Sequence, residues 1–159
     1  MIEVYDNFFP IDIHRNIFKI LQRPKWSLTG GGSYEKFWHM DGLEDEEYFN
    51  TFLFEKICKK LDRSFNYLRI YANGQTAGQC GTPHTDDGEL TFLYYPNKEW
   101  RTEYQGHLMF LEDNEIVKTV TYKPNRAVLF PAIMEHYADA PNTYYPDLRI
   151  SLAYKLEVL

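Results

Sequence analysis

Cysteine is scarce in this chain. Cys58 and Cys80 are the only two, with no Cys-x-x-Cys pair and no ladder of cysteines, so they read as reduced, intracellular thiols. Positive charge is also short: 17 Lys and Arg stand against 23 Asp and Glu, a net charge of −6. A phosphate-binding protein normally presents a basic face, so nucleic acid is not expected as a main partner. No apolar run is long enough to span a bilayer, and Met1-Ile2-Glu3-Val4-Tyr5-Asp6 lacks the basic and apolar regions of a signal peptide. The expectation is a cytoplasmic protein with no membrane partner. The glycine triplet in Thr29-Gly30-Gly31-Gly32-Ser33 lacks the Lys-Ser/Thr of a phosphate-binding P-loop, so it reads as a turn. There is no internal repeat, low-complexity tract or linker, and 159 residues suit a single domain spanning 1–159.

Aromatic residues, by contrast, are abundant. They make up 17% of the chain, mostly Tyr and Phe, which leans the architecture towards β-strands. The first third reads as helical support, residues 1–65. After Pro10, Ile13, Ile17, Ile20 and Leu21 recur at helical spacing until Pro24. A second helix starts in the acidic cluster Glu44–Glu47 and continues through Phe49, Phe52, Leu53, Ile57 and Leu61. From residue 66 the texture becomes short strands separated by Gly, Pro, Asn and Asp: 67–71, 89–95, 107–111, 117–122, 126–130 and 149–158. With no helices alternating between them, these strands predict an antiparallel sandwich or barrel, its outer face covered by the two helices.

The chemistry concentrates in Pro83-His84-Thr85-Asp86-Asp87-Gly88. On an extended chain the side chains of His84 and Asp86 project from one face. They would supply two ligands of the 2-His-1-carboxylate facial triad that holds non-haem Fe(II) with open coordination positions. Asp87 reads as the following turn. Of the remaining histidines, His14 is expected at a helix surface and His39 in an aromatic loop explained by packing. His136, which lies 52 residues after His84 at the end of an apolar strand and turn, is the better third ligand, with His107 second. In the last strand Leu148, Ile150, Leu152, Tyr154 and Leu156 form an apolar face, while Arg149, Ser151 and Ala153 share the other. A cation followed by two small residues suggests a cavity on that side.

This ordered set resembles the Fe(II)/2-oxoglutarate-dependent dioxygenases, and within them the prolyl 4-hydroxylase-like branch. Tyr71-Ala72-Asn73-Gly74 is similar to the family's entry strand, and Leu93–Trp100 to the strand-and-turn of the oxygen-sensing prolyl hydroxylases. Gly106-His107-Leu108 takes the place of their Gly-Gly-x-Leu segment. The resemblance covers roughly residues 67–156 and implies a mainly β fold with supporting N-terminal helices, a double-stranded β-helix (jelly roll, cupin-like) over 66–159. It implies that His84, Asp86 and His136 ligate Fe(II), and that Arg149 pairs with the far carboxylate of 2-oxoglutarate. Tyr95 would donate to the same carboxylate, Ser151 would line its pocket, and Tyr71 would border cosubstrate or substrate. O2 is the second cosubstrate and ascorbate an optional reductant.

Two departures stand out. Arg149 follows His136 by 13 residues, longer than usual in the family, with the excess assigned to a loop at 142–147. His107 replaces the second glycine of Gly-Gly-x-Leu.

The implied activity is hydroxylation of a C–H bond, with a prolyl residue in a peptide or protein as the leading substrate. The same chemistry on a free amino acid, another small molecule or an alkylated nucleobase is the alternative, and a non-catalytic jelly-roll binding module is a third. Loops at 29–41, 73–82 and 97–105 are the candidate substrate contacts.

Overall fold

The computed structural model describes residues 1–28 and 36–159. The glycine triplet and most of the first candidate substrate loop therefore lie outside the described residues. In chain order the strands are β1 (Glu3–Tyr5), β2 (Ser27–Leu28), β3 (Trp38–Met40), β4 (Phe65–Gln75), β5 (Leu90–Tyr94), β6 (Leu108–Glu112), β7 (Glu115–Val120), β8 (Ala127–Pro131), β9 (His136–Ala138) and β10 (Arg149–Val158). The helices are α1 (Ile11–Leu21) and α2 (Phe54–Leu61). One antiparallel sheet has the order β1-β8-β5-β10-β4-β3-β2, and the other β7-β6-β9. This is the jelly-roll arrangement of two facing antiparallel sheets, with helices on one outer side. Among the described residues no helix is long and apolar enough to cross a membrane.

β10 sits in the middle of the larger sheet because both of its faces are buried. Ile150, Leu152, Tyr154 and Leu156 join one core with Ile17 and Leu21 of α1 and Ile57 and Leu61 of α2. Strand alternation sends Arg149, Ser151, Ala153 and Lys155 to the other side, towards the smaller sheet. There a second core forms from Tyr95, Leu108, Phe110, Val120, Tyr122, Val128 and Phe130.

The helical third departs from expectation in three ways. Residues 1–65 also contain β1, β2 and β3, which extend both edges of the larger sheet. Two or three residues are too few to display a period-two pattern, and these strands exist through pairing: β1 with β8, β3 with β4 and β2 with β3. The second helix is not continuous either. A 3₁₀ turn at Leu43–Asp45 is followed by a π-helical stretch, Tyr48–Leu53, which runs into α2. Phe49, Leu53, Ile57 and Leu61 are all buried at strict four-residue spacing. In an α-helix of about 3.6 residues per turn that spacing walks round the axis, and the wider π turn takes up the excess.

Third, His14 is buried rather than at the surface. Its Nδ1 lies 2.5 Å from the Tyr94 hydroxyl, which itself donates to Asn125 Oδ1 at 2.9 Å. Nδ1 is therefore the donor. Burial lowers the His14 pKa, with Arg15 adding to the effect.

A surface cluster ties the N-terminal strand to the loop before β8. Arg126 donates from Nε to Asp6 Oδ1 at 2.7 Å and Lys123 donates to Oδ2 at 2.9 Å. These hydrogen bonds lower the Asp6 pKa from 3.8 to about 2. A depressed folded-state pKa contributes stability that is present above the ordinary carboxylate value and lost as the pH falls through about 2. Asp6→Asn is accordingly expected to lower the urea midpoint at pH 7, with the gap from wild type closing as the pH is taken from 4 towards 2. A gap independent of pH would refute the assignment.

Candidate active site

The segment between β4 and β5 is zipped against residues 132–138 by backbone hydrogen bonds. His84 and His136 exchange both N–H···O bonds at 3.0 and 2.9 Å, and Asp86 N donates to Ala132 O at 2.8 Å. His84 thus forms an isolated antiparallel bridge with His136 rather than part of a continuous strand. The extended backbone still projects His84 and Asp86 to the same side. One ligand atom from each of His84, Asp86 and His136 lies within 4.8 Å of the other two. His84 Nε2 is 3.5 Å from Asp86 Oδ1 and His136 Nε2 is 3.3 Å from Oδ2.

Second-sphere bonds fix how these groups present themselves. His84 Nδ1 faces Thr82 O at 2.8 Å and His136 Nδ1 faces Met134 O at 2.7 Å. A carbonyl only accepts, so each imidazole carries a hydrogen on Nδ1 and turns Nε2 towards the carboxylate, where it donates to Asp86 when the ring is protonated and offers a lone pair to a metal when it is neutral. Burial by itself would raise the Asp86 pKa. Hydrogen bonds from His136 and His84, together with the charge of Lys155, outweigh it and hold the carboxyl well below its usual range. The hydrogen bond to Asp86 in turn raises His84. This donor set, two oriented imidazoles and one ionised carboxylate, suits a divalent metal that prefers N and O ligands.

Beside the cluster is a cavity of about 560 Å³. Its wall is built by period-two alternation on neighbouring strands: Tyr71, Asn73 and Gln75 from β4, Ser151 and Lys155 from β10, and His39 and Asp41 around β3. The packing role expected for His39 is therefore incomplete. It also faces the cavity, with Nδ1 2.6 Å from Asp41 Oδ2.

Arg149 lies at the inner end of this face and is 1% exposed. Its Nε donates to Gly106 O at 2.7 Å and one terminal nitrogen to Gln75 Oε1 at 2.9 Å. The guanidinium stacks 4.8 Å from the Tyr122 ring and 5.6 Å from that of Tyr95. Among the described residues no carboxylate pairs with this buried cation. Beside it the buried Tyr95 hydroxyl has no hydrogen-bond partner among the described residues, whereas Tyr122 donates to Ile150 O at 2.6 Å. A buried cation next to such a hydroxyl suits a carboxylate chemically. Gly106 allows the approach. Its φ of +69° suits glycine, and a Cβ there would stand 2.9 Å from Arg149 Cδ.

His107 is not part of the cluster. Its Nδ1 accepts the Tyr122 N–H at 3.1 Å, and burial lowers its pKa. The loop carrying the extra residues before Arg149 is anchored by Tyr145, whose ring packs 4.4 Å from Trp100 and whose hydroxyl accepts from Asn97 at 2.8 Å.

Four contributors escaped sequence reasoning: Gln75, Gly106 through its carbonyl, Thr91 and Lys155. Lys155 shares strand parity with Arg149, a signal available in the sequence. Gln75 and Thr91 become relevant only through register, as the cross-strand partners of Arg149 and Lys155.

A double-stranded β-helix with a His-x-Asp···His cluster at one open end and a buried arginine beside it defines a non-haem metal oxygenase scaffold. The sequence profile of the 2OG-Fe(II) oxygenase superfamily matches residues 65–154, more than half of the chain, and the protein belongs to this superfamily, whose cofactors are Fe(II) and 2-oxoglutarate. No curated protein sequence matches the chain significantly. Solved structures match its fold. A prolyl hydroxylase from Trichoplax adhaerens, in complex with a hypoxia-inducible-factor peptide fragment, superposes with a TM-score of 0.73 at 14% identity, covering 98% of this chain and 82% of that one. A prolyl-4-hydroxylase from Pseudomonas putida gives 0.65 at 15%, covering 96% and 90%. HygX from Streptomyces hygroscopicus, with nickel, 2-oxoglutarate and hygromycin B bound, gives 0.70 at 11%, covering 97% and 82%.

Proposed function

We propose that the protein hydroxylates a C–H bond of a prolyl residue in a peptide or protein, with Fe(II) held by His84, Asp86 and His136 and 2-oxoglutarate anchored by Arg149. The observation that carries this reading is the pairing of two Nε2 atoms and a carboxylate with a buried arginine that lacks an acidic partner among the described residues. Bound there, Fe(II) and 2-oxoglutarate supply the activation of O2, with decarboxylation of the cosubstrate to succinate. The chain's own residues orient the reactants. The Thr82 and Met134 carbonyls hold the two imidazole tautomers. Arg149 meets the far carboxylate with its planar guanidinium, Tyr95 donates its hydroxyl to the same group, Ser151 lines that pocket, and Tyr71 borders the cavity between cosubstrate and substrate.

The prolyl assignment is favoured by the overlap with two prolyl hydroxylases, one of them peptide-bound. A second reading has its own support. The cavity mouth carries Arg69, Asp41 and Asp87, a mixed charge suited to a polar small molecule, and HygX holds hygromycin B. The net charge of −6 disfavours a nucleobase in a nucleic acid. Aerobic incubation with Fe(II), 2-oxoglutarate and proline-rich peptides separates these ideas. Peptides gaining one oxygen atom with stoichiometric succinate support the first reading. Succinate release without peptide oxidation moves the substrate to a small molecule, and absence of 2-oxoglutarate binding leaves a binding module.

Tyr95→Phe gives a local check on the cosubstrate pose. Removing an unpaired hydroxyl costs the metal-free protein nothing, so its melting temperature should be unchanged or higher. Affinity for 2-oxoglutarate should fall about five-fold, the value of one ordinary hydrogen bond. A lower melting temperature with unaltered affinity would remove Tyr95 from the pocket.

A further inference from the structure

Lys155 is a lysine with almost no access to water, its side chain 5% exposed, and Nζ is in contact with Asp86 Oδ2. Thr91, fully buried and directly across the β5–β10 ladder, donates its hydroxyl to the same oxygen at 2.6 Å and lies 3.4 Å from Lys155 Nζ. Oδ2, which His136 Nε2 also approaches at 3.3 Å, is thus committed to a strand-borne pair of donors, while Oδ1 stays on the side of His84. A buried ammonium persists only with a counter-charge, and Asp86 is its one acidic partner among the described residues. The ammonium also lies 5.6 Å from the centre of the Tyr71 ring.

We propose that Lys155 is a positioning residue that holds Asp86 as a one-oxygen ligand and sets the charge of the metal site to favour a dianionic cosubstrate. The proposal rests on the assignment of His84, Asp86 and His136 as ligands. Before metal arrives, the lysine neutralises the carboxylate and the site carries no net charge. With a divalent ion the site carries two positive charges, the complement of 2-oxoglutarate. Without the lysine, the ion would be the sole counter-charge of Asp86, and the loaded site would attract the dianion less.

The consequences have opposite signs for the two ligands, which a merely structural lysine would not produce. Lys155→Met should bind Mn²⁺ more tightly, on the order of ten-fold, and show a larger Mn²⁺-induced rise in melting temperature than wild type. Its affinity for 2-oxoglutarate at saturating Mn²⁺ should fall by a similar factor. Lys155→Gln keeps a donor to Oδ2 without the charge and guards against a misfolded Met variant; it should shift both affinities the same way. Lys155→Arg keeps the charge and should restore both towards wild type. Metal affinity read by Mn²⁺ electron paramagnetic resonance, and cosubstrate affinity by calorimetry, need no turnover. Weaker Mn²⁺ binding in both neutral variants, or unchanged affinities, would overturn the proposal. If Mn²⁺ binding is indifferent to Asp86→Asn as well, the ligand assignment falls and this proposal with it.

Discussion

Asp86→Asn is expected to remove Fe(II)-dependent consumption of 2-oxoglutarate altogether and to destabilise the metal-free protein at the same time. The two losses have different causes. An amide lacks the negative charge that draws a divalent ion between His84 and His136, whose Nε2 atoms lie 3.5 and 3.3 Å from the carboxylate oxygens. The same amide leaves the buried Lys155 ammonium without its counter-ion. Breaking one half of a buried ion pair costs about 3–5 kcal/mol. Adding Lys155→Met to Asp86→Asn removes the stranded charge, so the double variant should recover most of the lost stability while remaining unable to turn over. Urea titration of the wild type, the two single variants and the double variant gives the coupling energy directly. Additive losses would mean that the pair is not formed.

The second large effect belongs to Arg149→Gln. Glutamine cannot present two parallel charged donors, and two charge-assisted hydrogen bonds at about 1.5–3 kcal/mol each correspond to a loss of at least two orders of magnitude in affinity for 2-oxoglutarate. Divalent metal binding should survive, because Arg149 touches none of the three ligands: its hydrogen bonds go to Gly106 O and Gln75. Saturating 2-oxoglutarate should raise the melting temperature of the metal-loaded wild type and leave that of the variant unmoved. A variant that still binds 2-oxoglutarate like wild type would separate this arginine from the cosubstrate. A metal-dependent isomerase on the same scaffold would be indifferent to the change.

What could be read in the sequence was local. The side chains of His84 and Asp86 point together because extended backbone alternates, and the opposite faces of β10 follow from the same rule. His136 emerged as a strand-end histidine after an apolar run. What could not be read was set by partners far along the chain. His14 is buried because the Tyr94 hydroxyl, itself held by Asn125, supplies its polar contact, and nothing in α1 announces this. β1, β2 and β3 are too short to be recognised without the strands they pair with. Gln75 and Thr91 look like ordinary strand residues until register sets them opposite Arg149 and Lys155.

β10 bears on how the protein comes to life as well as on how it works. The side chains it aligns find partners early in the chain: Arg149 meets Gln75, and Lys155 meets Thr91 and Asp86. Contacts of such sequence separation form late, after the intervening chain has been closed into a loop. On the ribosome, a nascent chain that has emerged only as far as β9 holds His84, Asp86 and His136 but neither Arg149 nor Lys155, the partner of Asp86. On the reading proposed above, a metal ion captured at that stage would meet a half-built pocket that still lacks the arginine to anchor 2-oxoglutarate.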